Sequence, residues 1–174
     1  MPQVRLRPVE SEDVPVIATL LAHPHLVGDR GLNDDRPARR SVAALAKAVE
    51  SLVDPEDGEA WVIEAGDPVG VATVGWWWDA LTPWAHVVIH PDHQRRGHGT
   101  SAALGVLEWV FHSTPALLVE YSVPGWDDAG LGFADSLGGD RVGIRRRTGI
   151  RDGRYHDTVE FAMARATWEV RHAS

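Results

Sequence analysis

The segment at residues 90–100 carries the clearest chemical pattern of the chain. It reads His-Pro-Asp-His-Gln-Arg-Arg-Gly-His-Gly-Thr and lies between an apolar run at residues 85–89 and a helical stretch at residues 101–112. A turn from strand to helix points free backbone N–H groups and the positive end of a helix dipole at one place, which suits a pyrophosphate. Arg95 and Arg96 add two cationic side chains. The pattern therefore predicts a phosphate-binding loop.

The glycine spacing separates this loop from other phosphate loops. Dinucleotide folds use Gly-x-Gly-x-x-Gly and nucleoside triphosphatases use Gly-x-x-x-x-Gly-Lys-Ser/Thr, and neither pattern occurs in the chain. The order Gln94-x-x-Gly97-x-Gly99 instead resembles the acyl-CoA signature of the GNAT family of N-acyltransferases. The following helix has apolar residues at helical spacing, namely Ala103, Val106, Leu107 and Val110. The alternative is a plain strand-to-helix turn with solvated arginines.

The resemblance implies a cofactor, acetyl-CoA or another short acyl-CoA, and the residues that hold it. In the GNAT family the strand before the loop splays from its neighbour and offers backbone groups to the pantetheine arm, while the loop binds the pyrophosphate. The implied cofactor-binding residues are Val87, Val88, Ile89, Gln94, Arg95, Arg96, Gly97, His98, Gly99 and Thr100.

Transfer to an amine needs a base, because an alkylamine with a pKa near 10.4 is mostly protonated at pH 7. Many GNAT members place a glutamate on the strand before the loop, but that position falls on Trp84 here. His86 shares the pleat parity of Trp84 and is one candidate base. Glu120 on the next predicted strand is a comparable candidate. The alternative for His86 is a hydrogen-bonded strand histidine without a catalytic role. The alternative for Glu120 is an ion-paired or exposed strand carboxylate.

The acid that protonates the departing thiolate is also displaced from its usual position. In the GNAT family it is a tyrosine on the helix that follows the strand of Glu120. When residues 133–139 are matched to the end of that helix, Ala134 takes the position of the tyrosine. Tyr121 or Ser136 could substitute, or water could suffice, because a CoA thiol is acidic enough. Core packing is the alternative role of Tyr121.

Tryptophans concentrate around the connector at residues 79–83. Trp76, Trp78 and Trp84 are predicted to wall an acceptor pocket, with Trp77 on the opposite face by strand alternation. Asp34 and Asp35, with Asp79, could attract a cationic acceptor. The alternative roles of the tryptophans are core packing and a subunit interface. The aspartates are alternatively solvated acidic residues of loops.

No metal site is predicted. His90, His93 and His98 lie within nine residues, but their spacing matches neither a helical pair nor a zinc-finger pattern.

Composition narrows the class of protein. The 174 residues suit one domain, 1–174, and the net charge of −8 argues against nucleic acid and is compatible with a cationic acceptor. Without cysteine, disulfides and an acyl-cysteine intermediate are excluded. The chain has no apolar run near 18 residues and no signal-peptide pattern, so a cytoplasmic protein without membrane contact is expected.

Hydrophobic periodicity predicts the order β-α-α-β-β-β-α-β-α-β-β, which is similar to the GNAT fold. The fold class is α/β (α+β): a single GNAT-like domain whose central sheet is mixed and mostly antiparallel, with about seven strands and about four flanking helices. Strands are predicted near residues 4–7, 61–65, 69–78, 83–89, 116–123, 141–150 and 155–164, and helices near residues 14–21, 37–53, 101–112 and 127–137.

The segment at residues 147–168 resembles the C-terminal hairpin of the GNAT branch that holds ribosomal-protein N-terminal and spermidine acetyltransferases; a solvated basic hairpin is the alternative. The resemblance implies an N-acetyltransferase in which a primary amine attacks the thioester directly. Its acceptor would be a protein N-terminus, a polyamine or a small-molecule amine, and a homodimer is compatible with the family. The alternative functions are a non-catalytic acyl-CoA-binding or interaction module and a structural partner that keeps only the fold.

Overall fold

The computed structural model describes residues 4–23, 26, 42–77, 79–151 and 153–172. Seven strands of this part of the chain form one sheet in the order β1-β2-β3-β4-β5-β7-β6. Every neighbouring pair is antiparallel except β4 and β5, which run parallel. This confirms the predicted mixed, mostly antiparallel sheet. The strands are β1 (Arg5–Pro8), β2 (Gly58–Ala65), β3 (Asp67–Gly75), β4 (Trp84–Ile89), β5 (Leu118–Pro124), β6 (Asp140–Arg151) and β7 (Arg154–Ala164).

Helices cover both faces of the sheet. They are α1 (Val14–Leu21), α2 (Val42–Glu50), α3 (His98–Ser113), α4 (Asp128–Leu137) and α5 (Arg165–His172). Consecutive buried residues in the middle of β2 and β3 follow from this layering, because a strand covered on both faces is apolar throughout. Trp61 and Ile63 pack with α3 on one face, whereas Ala60 and Val62 pack with α1 and α2 on the other. Within the described ranges no helix is both long and apolar enough to span a bilayer.

Helix α5 was not predicted and replaces the end of the hairpin segment expected at residues 147–168. Its first residue, Arg165, donates side-chain hydrogen bonds to the carbonyl oxygens of Phe111, Thr114 and Ala116, at the end of α3 and just after it. Trp168 is buried and its ring lies 5.9 Å from that of Phe111. Its apolar residues, Ala166, Trp168 and Val170, are spaced two apart, so the segment lacks the helical spacing by which α1, of the same length, was predicted.

Strand β3 is shorter than predicted. It ends at Gly75, so the tryptophans that follow lie beyond the strand. The rule that side chains alternate between faces therefore does not decide where Trp76 and Trp77 point. The C-terminal hairpin is present as β6–β7, and β2 and β3 form a second hairpin; their turns have positive φ angles of 71° at Gly153 and 91° at Gly66.

Strands β4 and β5 diverge. Their one registered pair in the described structure is Trp84 with Glu120, next to a hydrogen bond of 2.9 Å from the Glu120 N–H to the Pro83 carbonyl. By contrast, β5 pairs with β7 over its whole length, from Leu118 to Pro124. Past Trp84 the facing backbone edge of β4 has no sheet partner in β5 and is open to another hydrogen-bonding group.

Candidate active site

The loop between β4 and α3 is tied to the end of its strand. The Gln94 side-chain amide donates to the Ile89 carbonyl at 2.9 Å. Before it, a short 3-10 turn spans Pro91–His93. After it, Arg95 and Gly97 have positive φ angles of 61° and 81°. The left-handed backbone at Gly97 costs a glycine little, and it turns the chain directly into α3.

The N-terminus of α3 has free hydrogen-bond donors. Gly97 is the N-cap and supplies no capping side chain. The first N–H bonded within the helix is that of Ser101, which donates to the Gly97 carbonyl at 3.0 Å. The N–H groups of His98, Gly99 and Thr100 have no carbonyl one turn back inside the helix. The first turn holds no acidic residue, and the exposed Arg95 and Arg96 lie just before it. These residues fit a pyrophosphate.

A cavity of about 190 Å³ occupies the gap between β4 and β5. It extends from Gln94 at the loop along both strands to helix α4, where Phe133 and Ala134 line it. This cavity is lined by Val87, Val88 and Ile89, the residues that the GNAT resemblance implies as contacts of the pantetheine arm. It has the position that a chain extending from the pyrophosphate loop would need, and we call it the donor cavity.

A second cavity of about 420 Å³ opens beyond the donor cavity and is here called the acceptor cavity. Both cavities are lined by Ala85, His86, Tyr121 and Ser122. The other lining residues of the acceptor cavity are Trp77, Trp84, Glu120, Arg145 and Glu160. The cavities therefore meet at the gap between the two strands.

The three predicted catalytic residues line the acceptor cavity, and two of them also line the donor cavity. His86 is exposed and lines both cavities, and it shares the acceptor cavity with Trp84, which has the same pleat parity on β4. Glu120 is also exposed, but it lines the acceptor cavity alone. Tyr121 lines both, and its ring stacks on Phe161 with centroids 5.3 Å apart.

Burial raises the pKa of Tyr121 to about 12, so the phenol keeps its proton at neutral pH. Its hydroxyl lies against Gly139, where a Cβ would overlap it. Ser136, the other side chain weighed as acid, is exposed and donates to the Phe133 carbonyl at 2.7 Å within its own helix. It does not line either cavity.

The tryptophans are arranged differently from the sequence expectation. Trp84 lines the acceptor cavity, but its companion there is Trp77, with ring centroids 6.1 Å apart. Trp76 instead packs against the core on the α3 face. Gly75 positions Trp84, because a Cβ at that glycine would overlap the indole ring. Trp77 was not predicted to line the pocket, because the predicted strand extended beyond Gly75.

Three of the residues predicted to contact the acceptor, namely Asp34, Asp35 and Trp78, lie outside the described residues. Asp79 accepts hydrogen bonds from the backbone N–H groups of Leu81 at 2.7 Å and Thr82 at 2.8 Å. These bonds lower the pKa of Asp79, and its carboxylate therefore stabilises the connector.

Three further lining residues, Ser122, Arg145 and Glu160, were not predicted from the sequence. The two charged side chains come from β6 and β7, far along the chain from the loop, and no local motif marks them. The register of β5 with β7 places Glu160 opposite Ser122, and the pairing of β6 with β7 brings Arg145 beside them.

The imidazole rings of three histidines near the loop lie close together. His90 lies 4.9 Å from His23 and 5.9 Å from His93 between ring centroids. Burial lowers the pKa of His90, and the neighbouring His23 and His93 lower it further against the opposing effect of Asp92. Among the residues that the structure describes, no three His, Cys, Asp or Glu side chains are grouped to hold a metal ion.

Comparison with solved structures shows the same fold in several acetyltransferases. A spermidine N-acetyltransferase from Vibrio cholerae in complex with CoA and spermine has a TM-score of 0.82 and 15% identity, over 95% of this chain and 98% of that one. RimJ from Mycobacterium smegmatis in complex with CoA-disulfide has a TM-score of 0.76 and 20% identity, over 98% and 89%. A probable GNAT acetyltransferase from Chromobacterium violaceum has a TM-score of 0.77 and 18% identity, over 96% and 85%.

A search of curated protein sequences returns no match. The acetyltransferase (GNAT) domain family, however, matches residues 3–131, which include the loop, both divergent strands β4 and β5 and the whole of α3. This match spans more than half of the chain, and the protein therefore belongs to the GNAT family of acetyl-CoA-dependent N-acetyltransferases.

Proposed function

We propose that the protein transfers an acetyl group from acetyl-CoA to a primary amine by direct attack of the amine. The observation that carries this proposal is the meeting of the donor and acceptor cavities at Ala85, His86, Tyr121 and Ser122. Direct transfer requires an amine and a thioester to approach within a few ångströms. Two cavities that join between diverging strands provide such a place, and the absence of cysteine excludes a cysteine-bound acyl group.

On the donor side, the chain binds and orients the cofactor. The N–H groups of His98, Gly99 and Thr100 bind the pyrophosphate, and Arg95 and Arg96 add charge-assisted hydrogen bonds. The open edge of β4 at Val87 to Ile89 holds the pantetheine arm. When bound, acetyl-CoA supplies the thioester carbonyl that the amine attacks.

On the acceptor side, His86 is the proposed base. A ring nitrogen of His86 accepts the proton of the incoming ammonium group. Its place in both cavities supports this role over that of Glu120, which lines the acceptor cavity alone. Glu120 then contributes its negative charge to the binding of the ammonium group.

Tyr121 is the proposed proton donor to the departing thiolate, because it and Ser122 carry the only side-chain hydroxyls among the described residues that line the donor cavity. Burial raises its pKa to about 12, which makes it a weaker acid than a free tyrosine, so we expect its contribution to the rate to be modest. The small side chain of Ala134 lines the same donor cavity, so the strand tyrosine takes the role that the helix tyrosine has in other members. Tyr121→Phe should lower kcat with little change in the KM for acetyl-CoA. An unchanged kcat in this variant would indicate that water protonates the thiolate.

The test is release of free CoA thiol from acetyl-CoA on addition of primary amines, compared with the same mixture lacking an amine. Binding of acetyl-CoA is measured in parallel by thermal shift. Amine-dependent thiol release supports the proposal. Binding without release by any amine would indicate an acyl-CoA-binding module instead, and no binding would indicate a structural role of the fold. A cytoplasmic location and a homodimer stay predictions from the sequence.

A further inference from the structure

The acceptor cavity contains a pair of charged residues that the proposed reaction does not use. Glu160 and Arg145 join there by a hydrogen bond of 2.5 Å from Arg145 Nε to Glu160 Oε1. We propose that this pair makes the acceptor site selective for amines with one positive charge and a flat apolar body, such as aryl-alkyl monoamines, over polyamines. The proposal rests on the proposed function and specifies its acceptor.

The sheet register explains how Glu160 comes to the cavity. Glu160 is paired with Ser122 across β5 and β7, so both side chains rise from one face. Glu120, two residues before Ser122, rises from that face as well. The Glu160 side chain is 26% exposed, whereas that of Arg145 is 61% exposed. Glu160 is therefore an inner charge of the cavity and Arg145 is at its rim.

The charges of the lining favour a single cation. Among the described lining residues, Glu120 and Glu160 are acidic and Arg145 is basic, so the cavity has one net negative charge when His86 is neutral. One ammonium group balances this charge. A second ammonium group on the same chain would meet the Arg145 guanidinium at the rim, where like charges repel.

The aromatic lining favours a flat apolar body. Trp77 and Trp84 stand 6.1 Å apart between centroids, with their rings tilted by 46°. Trp77 is 65% exposed, and an aryl group lying against it would bury apolar surface of both partners. Indole faces also attract an ammonium group nearby. A flexible polyamine offers them little comparable surface.

The experiment measures kcat and KM for three amines with the wild-type protein and acetyl-CoA. The amines are 2-phenylethylamine, butylamine and spermidine. We expect kcat/KM to decrease in that order, with 2-phenylethylamine favoured over spermidine by about tenfold or more, the effect of one charged contact. A preference for spermidine, or no preference, would overturn the proposal.

Two variants test whether the pair sets the preference. Arg145→Gln removes the rim charge and should raise kcat/KM for spermidine relative to 2-phenylethylamine by about tenfold. Glu160→Gln should raise the KM of every amine by a similar factor and change kcat little. Arg146→Gln is the matched control, since Arg146 is on the same strand, is 80% exposed and pairs with Asp157 outside the cavity.

The outcomes separate this proposal from the proposed function. Thiol release with an unchanged ratio of the two amines in Arg145→Gln would overturn the selectivity while the transferase function stands. A ratio that moves equally in Arg146→Gln would also overturn it, because the effect would then be one of overall charge. No thiol release with any amine would overturn both. Circular dichroism and thermal unfolding confirm that the variants fold.

Discussion

His86 is the residue on which the proposed chemistry depends most. The usual glutamate position is Trp84, and His86 occupies the next position on the same face of β4. Around it, Glu120 on β5, Glu160 on β7 and Arg145 on β6 bring charge to the same cavity, and Tyr121 lines it as well. Imidazole is the side chain whose ordinary titration lies between pH 5 and 8. The rate should therefore depend on pH through this residue.

We predict that His86→Gln lowers kcat/KM for the amine by roughly a hundredfold or more, the usual contribution of a general base. The wild-type rate should fall on the acidic side, where the imidazole is protonated and cannot accept a proton. This acidic limb should disappear in the variant. The measurement is the dependence of kcat/KM on pH, with acetyl-CoA binding followed as a check of the donor site.

Glu120→Gln is the matched comparison. It should weaken amine binding and keep the acidic limb, since Glu120 lines the acceptor cavity alone. If the limb is lost in Glu120→Gln and kept in His86→Gln, then Glu120 is the base. A limb kept in both variants would remove both residues from that role.

At the scale of elements, the N-terminus of α3 is the part of the donor site most open to a direct test. Gly99 is in the first turn, and a Cβ there would meet only the Ile89 side chain, at an ordinary 3.6 Å. Gly97 is less suitable, because its φ of 81° would strain any other residue.

We predict that Gly99→Glu raises the Kd for acetyl-CoA by tenfold or more, because its carboxylate repels the pyrophosphate at the same donors. The same carboxylate should preserve or raise the thermal stability of the unliganded protein, since negative charge stabilises a helix N-terminus. Gly99→Ala is the control and should bind almost as the wild type does. Calorimetric titration and thermal unfolding measure the two effects. Equal Kd values in Gly99→Glu and wild type would contradict the assignment.

The elements also show how far local sequence patterns reach. The loop and α3 were predictable because Gln94, Gly97, Gly99 and the apolar helical positions lie close together in the chain. Helix α5 was not predictable, since its apolar residues Ala166, Trp168 and Val170 alternate and do not follow a helical period. The place of Trp77 in the acceptor cavity was missed because no local sequence pattern shows that β3 ends at Gly75. Glu160 and Arg145 depend on strand pairing at long range.

At the scale of the whole molecule, an ion-pair network connects the first strand to the sheet and to α1. Both terminal nitrogens of Arg7 donate to the Asp13 carboxylate at 2.8 Å, and its Nε donates to Glu64 at 3.0 Å. Asp13 also accepts from the Glu10 N–H at 2.8 Å. Asp13 is 8% exposed. This network fixes the start of α1 against β1 and β2, and α1 covers the face of the sheet on which Val88 is buried.

The hydrogen bonds from Arg7, and secondarily the one from the Glu10 N–H, lower the pKa of Asp13 in the folded protein. A depressed folded-state pKa contributes stability that is present above the unfolded value, near 3.9, and is lost as the pH falls through the folded value. We predict that Asp13→Asn lowers the free energy of unfolding by about 1–3 kcal/mol at pH 7. The difference from wild type should shrink as the pH is lowered below about 4. Urea unfolding at several pH values measures it, with the exposed neighbour Glu12→Gln as control. A difference that stays constant down to pH 2 would show that the variant loses stability through altered packing and not through loss of the carboxylate charge.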